Sequence, residues 1–246
     1  MSGRAVLAQA RLETRLLLRS SESLLVTLGI PLGVLVFFTQ VPVLPVGDGD
    51  AATFLVPGVL GLSATATGLV ASAIQTAYER KSGALKLLGA TPLGRGGFVV
   101  AKLTSVVAML GVQAVLVLGV ALVGLGWRPD GGAAGLGAAV GAVLLTGLVM
   151  AALGLLLAGT LTAELTTAVS NALFLALLLL GGVAVDPAVL PDALAAIGGV
   201  TPLGAAVGLL RGVLDGASGT GAALATLVGW GALGTFAATR TFRWDA

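Results

Sequence analysis

The stretch AVLVLGVALV, at Ala114–Val123, is apolar at every position. A second stretch, LFLALLLL at Leu173–Leu180, has the same character. Strands of outer-membrane barrels alternate apolar and polar side chains, whereas these two stretches do not alternate. A helix satisfies its backbone hydrogen bonds within one segment, as a chain surrounded by lipid requires. The two stretches therefore indicate helices that cross a membrane.

The composition of the whole chain supports a membrane location. Of its 246 residues, 57% are hydrophobic and 10% are charged, and the mean hydropathy is +1.07. Soluble domains carry about 25% charged residues. A spanning helix needs about 20 apolar residues. Six runs without a charged residue reach that length: 23–47, 51–78, 103–127, 131–163, 165–185 and 216–239. We predict an all-α integral membrane protein with six transmembrane helices, forming a single domain over residues 1–246.

Several kinds of functional site are excluded or disfavoured. The chain contains neither cysteine nor histidine, so disulfides and thiolate metal sites are impossible and the commonest general base is absent. We expect no metal site and no catalytic residue on this chain. No G-x-x-x-x-G-K-[ST] motif occurs, which excludes ATP binding by a P-loop. The predicted spans contain almost no ionisable residue, which argues against a carrier coupled to protons or sodium.

The basic residues fall mainly on one side of the predicted bundle. If six helices cross in order, only Arg128 and Arg211 of the 13 lysines and arginines lie on the other side. Lysine and arginine accumulate in cytoplasmic loops. Both termini are therefore predicted to be cytoplasmic. We expect the protein to lie in the cell membrane, and specifically in a bacterial plasma membrane. The net charge of +2 then reflects orientation, and we expect no nucleic-acid partner.

Two segments outside the spans have their own patterns. Residues 1–22 separate apolar residues from three arginines, which is typical of a helix on the cytoplasmic membrane surface; a cytoplasmic extension of the first span is the alternative. Residues 187–217 contain an uncharged run interrupted by Pro202, so we predict an external broken or re-entrant helical hairpin rather than a seventh span. We expect Arg211 to anchor this hairpin through a helix end or Asp215. Contact with an anionic lipid or substrate headgroup is the alternative.

Polar residues also interrupt the chain between the second and third spans. The segment YERKSGALKLLGATPLGRGG occupies 78–97 and begins with three adjacent charges: Glu79, Arg80 and Lys81. ALKLLGATP predicts a short helix that ends before Pro92. Three leucines give it an apolar side suited to a groove on a soluble partner: Leu85, Leu87 and Leu88. In the alternative interpretation, the charges only mark the cytoplasmic surface.

These motifs resemble those of type-2 ABC exporter permeases, the daunorubicin-resistance-like membrane subunits. In that family, the first cytoplasmic loop has an acidic residue, a basic residue, Gly-x-Leu, Leu, Pro and a Lys at the next helix start. The matching residues here follow the same order: Glu79, Arg80, Gly83, Leu85, Leu88, Pro92 and Lys102. The family's external segment has Leu-Pro, then Asn-Pro, then an Arg nine residues later. Here the corresponding residues are Leu190, Pro191, Pro202 and Arg211, with Thr201 in place of Asn.

The resemblance covers essentially the whole chain and implies a function. It implies that 78–97 is a coupling loop that docks on a separate ABC ATPase subunit, oriented by the three charges at its start. ATP and Mg would bind to that partner. The resemblance also implies a second permease chain, identical or different, and outward movement of a hydrophobic or amphipathic molecule, such as a drug or a lipid-linked compound. An ATP-independent carrier or channel, and a structural membrane assembly subunit, are the competing hypotheses.

Few polar side chains lie within the predicted spans. Gln75, Gln113 and Asn171 are the strongest of them, and we expect hydrogen bonds between helices from these three residues. Glu164 lies in the short turn between the fourth and fifth spans, where we expect it to be solvated. None of these residues indicates a catalytic centre.

Overall fold

The computed structural model describes residues 29–41, 51–89, 94–183, 185, 189–217 and 219–243. Within these ranges the regular structure is helical and no strand occurs. The helices, in chain order, are α1 Ile30–Gln40, α2 Ala51–Lys81, α3 Ala84–Gly89, α4 Gly94–Gly119, α5 Gly132–Thr160, α6 Ala163–Leu180, α7 Asp192–Val200, α8 Pro202–Leu214 and α9 Gly221–Thr241. A widened turn, Val120–Gly124, continues α4.

The long helices confirm the predicted class, an all-α integral membrane protein. Five helices of the described ranges are long and apolar enough to span a membrane: α2, α4, α5, α6 and α9. Helix α1 covers 11 residues of the predicted first span and begins with Pro31 in its first turn. The remainder of that span, and the predicted surface helix at 1–22, lie outside the described residues. The bent pair α7–α8 would be a sixth crossing if it formed one span.

The third span begins earlier than predicted. Helix α4 starts at Gly94, whereas the charge-free run begins at residue 103. Lys102 therefore lies inside a helix rather than at its start. The predicted loop 78–97 is shortened at both ends, because Tyr78 to Lys81 still belong to α2. A rule based on absent charge ends a span at any charged side chain, even one that is paired and buried.

Helix α5 lies at the centre of the bundle, against α2, α4, α8 and α9. Glycines in both helices allow the backbones of α2 and α5 to touch. A Cβ added to Gly68 would lie 2.5 Å from the carbonyl oxygen of Gly147, and one added to Gly154 would lie 2.8 Å from the carbonyl oxygen of Leu69. In lipid, hydrophobic burial does not drive helices together, and small residues at a crossing let the helices approach closely enough to pack.

Helix α2 contains a π-helical turn at Ala66–Ala71, which accommodates one extra residue. The turn carries Gly68, at the crossing with α5. It also carries Thr67, whose hydroxyl accepts a hydrogen bond from the buried Gln113 amide at 2.9 Å. This bond joins α2 to α4. The π-helical turn of α2 therefore lies where α2 meets both α5 and α4.

Helices α7 and α8 meet at 87°, so the helix break predicted at Pro202 is present. Thr201 caps α8: its hydroxyl accepts from the Gly204 amide at 3.0 Å and donates to the Gly198 carbonyl at 2.7 Å. Pro202 occupies the first turn, where a missing amide hydrogen costs nothing. The amide of Gly131, just before α5, donates to the Leu214 carbonyl at 2.7 Å. The pair therefore lies at the start of α5, opposite the end that carries α3.

Candidate functional site

A buried ion pair joins the end of α2 to α4. The Lys102 side chain is only 2% exposed, and its Nζ lies 2.7 Å from Glu79 Oε2 and 2.9 Å from Oε1. The Gln75 amide donates to the same carboxylate at 2.8 Å, within α2. Burial of an isolated ammonium would be very unfavourable, so Lys102 depends on this carboxylate. The pair fixes the last turn of α2 against the first turns of α4.

A second set of contacts joins the end of α2 to the turn between α5 and α6. Arg80 is 8% exposed and its guanidinium donates to the Leu161 carbonyl, while its Nε has no hydrogen-bond partner in the part of the chain that the structure describes. Lys81 pairs with Glu164, and both of these side chains are more than half exposed. An exposed pair contributes little to stability. Arg80 is therefore the stronger connection between α2 and this turn.

Gly83 and Leu85 set the direction of α3. Gly83 has a φ of +77°, a left-handed conformation that favours glycine. Leu85 is only 1% exposed, and α3 lies between α2 and α4. The prediction that Leu85 contributes to an exposed apolar side is therefore wrong, because this leucine packs into the chain itself. Leu87 is 74% exposed, so α3 presents this apolar side chain outward. The side chain of Leu88, and all of Pro92, lie outside the described residues.

The charged loop residues singled out by sequence meet at one end of the bundle, together with Lys102 and the Leu161 carbonyl. The structure brings Glu79, Arg80 and Lys81 to the same end of the bundle as α3. The sequence indicated neither the carbonyl of Leu161 nor the burial of Lys102. The opposite charges of Glu79 and Lys102 were the only available signal for their pairing.

Pro202 and Arg211 lie at the other end of the bundle. The Arg211 guanidinium donates to the Gly182 carbonyl at 2.7 Å, just beyond α6, and lies 4.6 Å from the centre of the Phe54 ring in α2. Arg211 therefore connects α8 with both helices. Burial, and then the Asp130 carboxylate, raise the pKa of Asp215, while the Arg211 charge lowers that pKa.

Arg211→Gln is expected to lower the free energy of unfolding by about 1–3 kcal/mol, because it removes a charged hydrogen bond and a cation–π contact. Arg240→Gln is the matched control, since that guanidinium stacks on the exposed Phe236 ring at 4.8 Å, near the end of α9. Thermal unfolding midpoints in detergent would compare the two variants. Equal midpoints would contradict a special role for Arg211.

The other polar residues of the spans behave differently from one another. Gln113 bonds to Thr67 on a neighbouring helix, as expected. Gln75 bonds within its own helix to Glu79, and Asn171 lies on the exposed face of α6, so interhelical bonding is wrong for Gln75 and is not seen for Asn171. Glu164 is exposed at the start of α6, as expected.

The chain can be placed in a family. Residues 4–214 match the family model described as ABC-2 type transporter, which covers most of the chain. No curated protein matched the sequence. The family match agrees with the five long apolar helices described above. The chain therefore belongs to the ABC-2 type transporter family and is a multi-pass membrane subunit of an ABC transporter.

Proposed function

We propose that this chain is the permease subunit of an ATP-driven exporter, and that a separate ATPase subunit docks on α3 and the residues around it. The observation that carries the proposal is the exposed Leu87 on a short helix whose other side is fixed by the buried Leu85. An apolar side chain exposed at the polar end of a membrane protein suits a groove on a soluble partner. The end of the bundle that carries α3 is predicted to be cytoplasmic, and an ATPase would meet α3 there.

The surrounding contacts would transmit movement of α3 into the bundle. The Glu79–Lys102 pair connects the base of α3 to α4, and Arg80 connects it to the turn after α5. A partner shifts a conformational equilibrium only through contacts that differ between the two states. A helix held by buried contacts cannot simply yield when a partner pushes on it. Closure of the ATPases on ATP would therefore displace α2, α4 and the α5–α6 turn together.

The remaining parts of the proposal concern chemistry and assembly. ATP and Mg bind to the partner ATPase, and this chain performs no catalysis. A second permease chain, identical or different, completes the transport unit. The exposed apolar faces of α6 and α9 support this pairing, since only 17% of the apolar stretch of α6 and 11% of that of α9 are buried. The membrane lipid covers whatever part of these faces the second chain leaves free.

The proposed cargo is a hydrophobic or amphipathic molecule, a drug or a lipid-linked compound, moved outward from the cytoplasm or inner leaflet. The apolar spans favour such cargo over sugars and ions. The daunorubicin-resistance-like subtype, suggested by the motifs of the loop and hairpin, belongs to the same proposal.

Leu87→Asp is expected to abolish copurification with the ATPase while the permease remains folded, because Leu87 is outside the core. The ATPase to test is one with Walker motifs encoded beside this chain. Val189→Asp is the matched control: Val189 is 62% exposed but lies in the hairpin segment at the opposite end of the bundle. Leu85→Asp would be a poor test, since it places a charge in a buried position. Unchanged association of the Leu87 variant would refute docking at α3.

Reconstitution separates the competing functions. Liposomes containing the permease alone should show no transport, whereas liposomes containing both subunits should export a hydrophobic dye when ATP is added on the ATPase side. Transport by the permease alone would establish an ATP-independent carrier or channel. ATP-dependent efflux that is unaffected by Leu87→Asp would favour a structural role for this chain.

A further inference from the structure

An apolar groove of about 440 Å³ lies between α4, α5 and α9. Its floor is formed by the buried side chains of Phe98, Ala152 and Leu155, and its rim includes the exposed Thr235 and Thr239. A dry cavity of about 150 Å³ is large enough to bind benzene, so this groove has room for a considerably longer apolar group. It lies on the flank of the bundle, at the end that carries α3.

The groove lies within one half of the membrane. Its wall on α5 runs from Leu148 to Leu155, which is roughly 10 Å along a helix axis. Leu148 is about 18 Å from the end of α5 at Thr160, and half of a hydrocarbon core measures about 15 Å. The groove therefore extends from the α3 end of the bundle to near the membrane centre, which is the extent of an acyl chain in one leaflet.

One polar group on the rim has no hydrogen-bond partner among the described residues. Three of the four threonines of α9 donate their hydroxyl to a backbone carbonyl of the same helix: Thr226, Thr239 and Thr241. Thr235 makes no such bond, although it lines the groove. A hydroxyl without a partner in a lipid environment is unfavourable. An oxygen acceptor on a molecule in the groove would satisfy it.

The end of the groove is fixed and carries positive charge. Phe242 lines the groove and packs against Gly159, where an added Cβ would lie 2.4 Å from the phenyl ring. The next residue, Arg243, donates its backbone amide to the Gly159 carbonyl at 3.0 Å and is exposed. Basic residues at the cytoplasmic end of spans attract anionic lipid headgroups.

We propose that this groove binds one acyl chain of an anionic phospholipid, with the Thr235 hydroxyl donating to a lipid oxygen and the headgroup beside Arg243. The bilayer supplies such chains at high local concentration to any groove that opens toward it. The apolar floor, the length of one leaflet, the unpaired hydroxyl and the nearby arginine all match this ligand. The site does not depend on the proposed export function, because it concerns a resident lipid and not the cargo.

Native mass spectrometry of the delipidated full-length chain, titrated with phosphatidylglycerol or phosphatidylcholine, tests the site. Val99 lines the groove on α4, and Val99→Trp would fill it, so this variant should lose the tightest-bound phosphatidylglycerol. Val115→Trp is the matched control on the same helix, since Val115 is 67% exposed and lies outside the groove. The control should bind lipid as the unaltered chain does.

Two milder variants keep the test valid if the tryptophan disturbs folding. Thr235→Val preserves size and should weaken binding of both lipids by about fivefold, the effect of one hydrogen bond. Arg243→Gln should weaken phosphatidylglycerol by about fivefold and leave phosphatidylcholine unchanged. The proposal is overturned if Val99→Trp and Val115→Trp bind equal numbers of lipids with equal affinity. It is also overturned if neither milder variant alters lipid binding, as expected if another part of the protein fills the groove.

Discussion

Gly68→Ala is expected to lower the free energy of unfolding by about 3 kcal/mol, the upper end for added volume in a packed core. The new methyl group would lie 2.5 Å from the Gly147 carbonyl oxygen and 2.7 Å from the Met150 Cβ. Neither atom belongs to the flexible end of a side chain, so the backbones of α2 and α5 would have to separate. Equilibrium unfolding in mixed detergent and SDS micelles would measure the change.

Gly141→Ala is the matched control for that variant. Gly141 also lies in a long apolar helix, α5, but no atom of the described residues lies within 4 Å of an added Cβ. Alanine is favoured over glycine in a helix by about 0.5–1 kcal/mol, so this variant should be neutral or slightly stabilising. Equal destabilisation by the two substitutions would contradict contact between the backbones of α2 and α5 as the cause.

Glu79→Gln is expected to destabilise the protein by about 3–5 kcal/mol, since it leaves the ammonium of Lys102 buried without its carboxylate. Lys102 is 2% exposed, whereas Glu79 is 22% exposed, so the lysine suffers more from loss of its partner. The double variant Glu79→Gln, Lys102→Met removes both charges and should be more stable than Glu79→Gln alone. The same unfolding measurement would follow both variants.

The Lys81–Glu164 pair provides the comparison for the buried pair. Both side chains are more than half exposed, and exposed pairs contribute little to stability. Glu164→Gln should therefore leave the free energy of unfolding nearly unchanged. A loss as large as that of Glu79→Gln, or a double variant no more stable than Glu79→Gln, would contradict a buried, mutually dependent pair.

The fold was predictable from the sequence because the bilayer sets a minimum length for the apolar stretch of each spanning helix. Charge-free runs located α2, α5, α6 and α9 to within a few residues at most ends. The same rule misplaced the start of α4, because it treats every charged side chain as solvated, whereas Lys102 is buried through pairing with Glu79. Pairing between residues far apart in sequence leaves no periodic signal that such a rule can detect.

The location of the candidate site could be predicted from the sequence, but the direction in which its side chains face could not. Adjacent charges and a short apolar motif located α3 and the charges beside it. Leu85 and Leu87 are two positions apart, so about 200° separates them around a helix, and the sequence did not indicate which one faces the bundle. In helices that are apolar all around, periodicity also cannot distinguish a lipid-facing side from a packed side. The contact between Gly68 and α5 was therefore invisible before the structure.

The π-helical turn of α2 changes the direction in which all later side chains of the helix point around its axis. Each residue of an α-helix advances the side chains by about 100° around the axis, so one extra residue at Ala66–Ala71 rotates Ser72–Lys81 by that angle relative to Ala51–Thr65. The first part directs Gly61 toward Val207 of α8, and the second part directs Glu79 toward Lys102 of α4. In an uninterrupted α-helix, Gly61 and Glu79 would be about five whole turns apart and would point in the same direction, so α2 could not direct one toward α8 and the other toward α4.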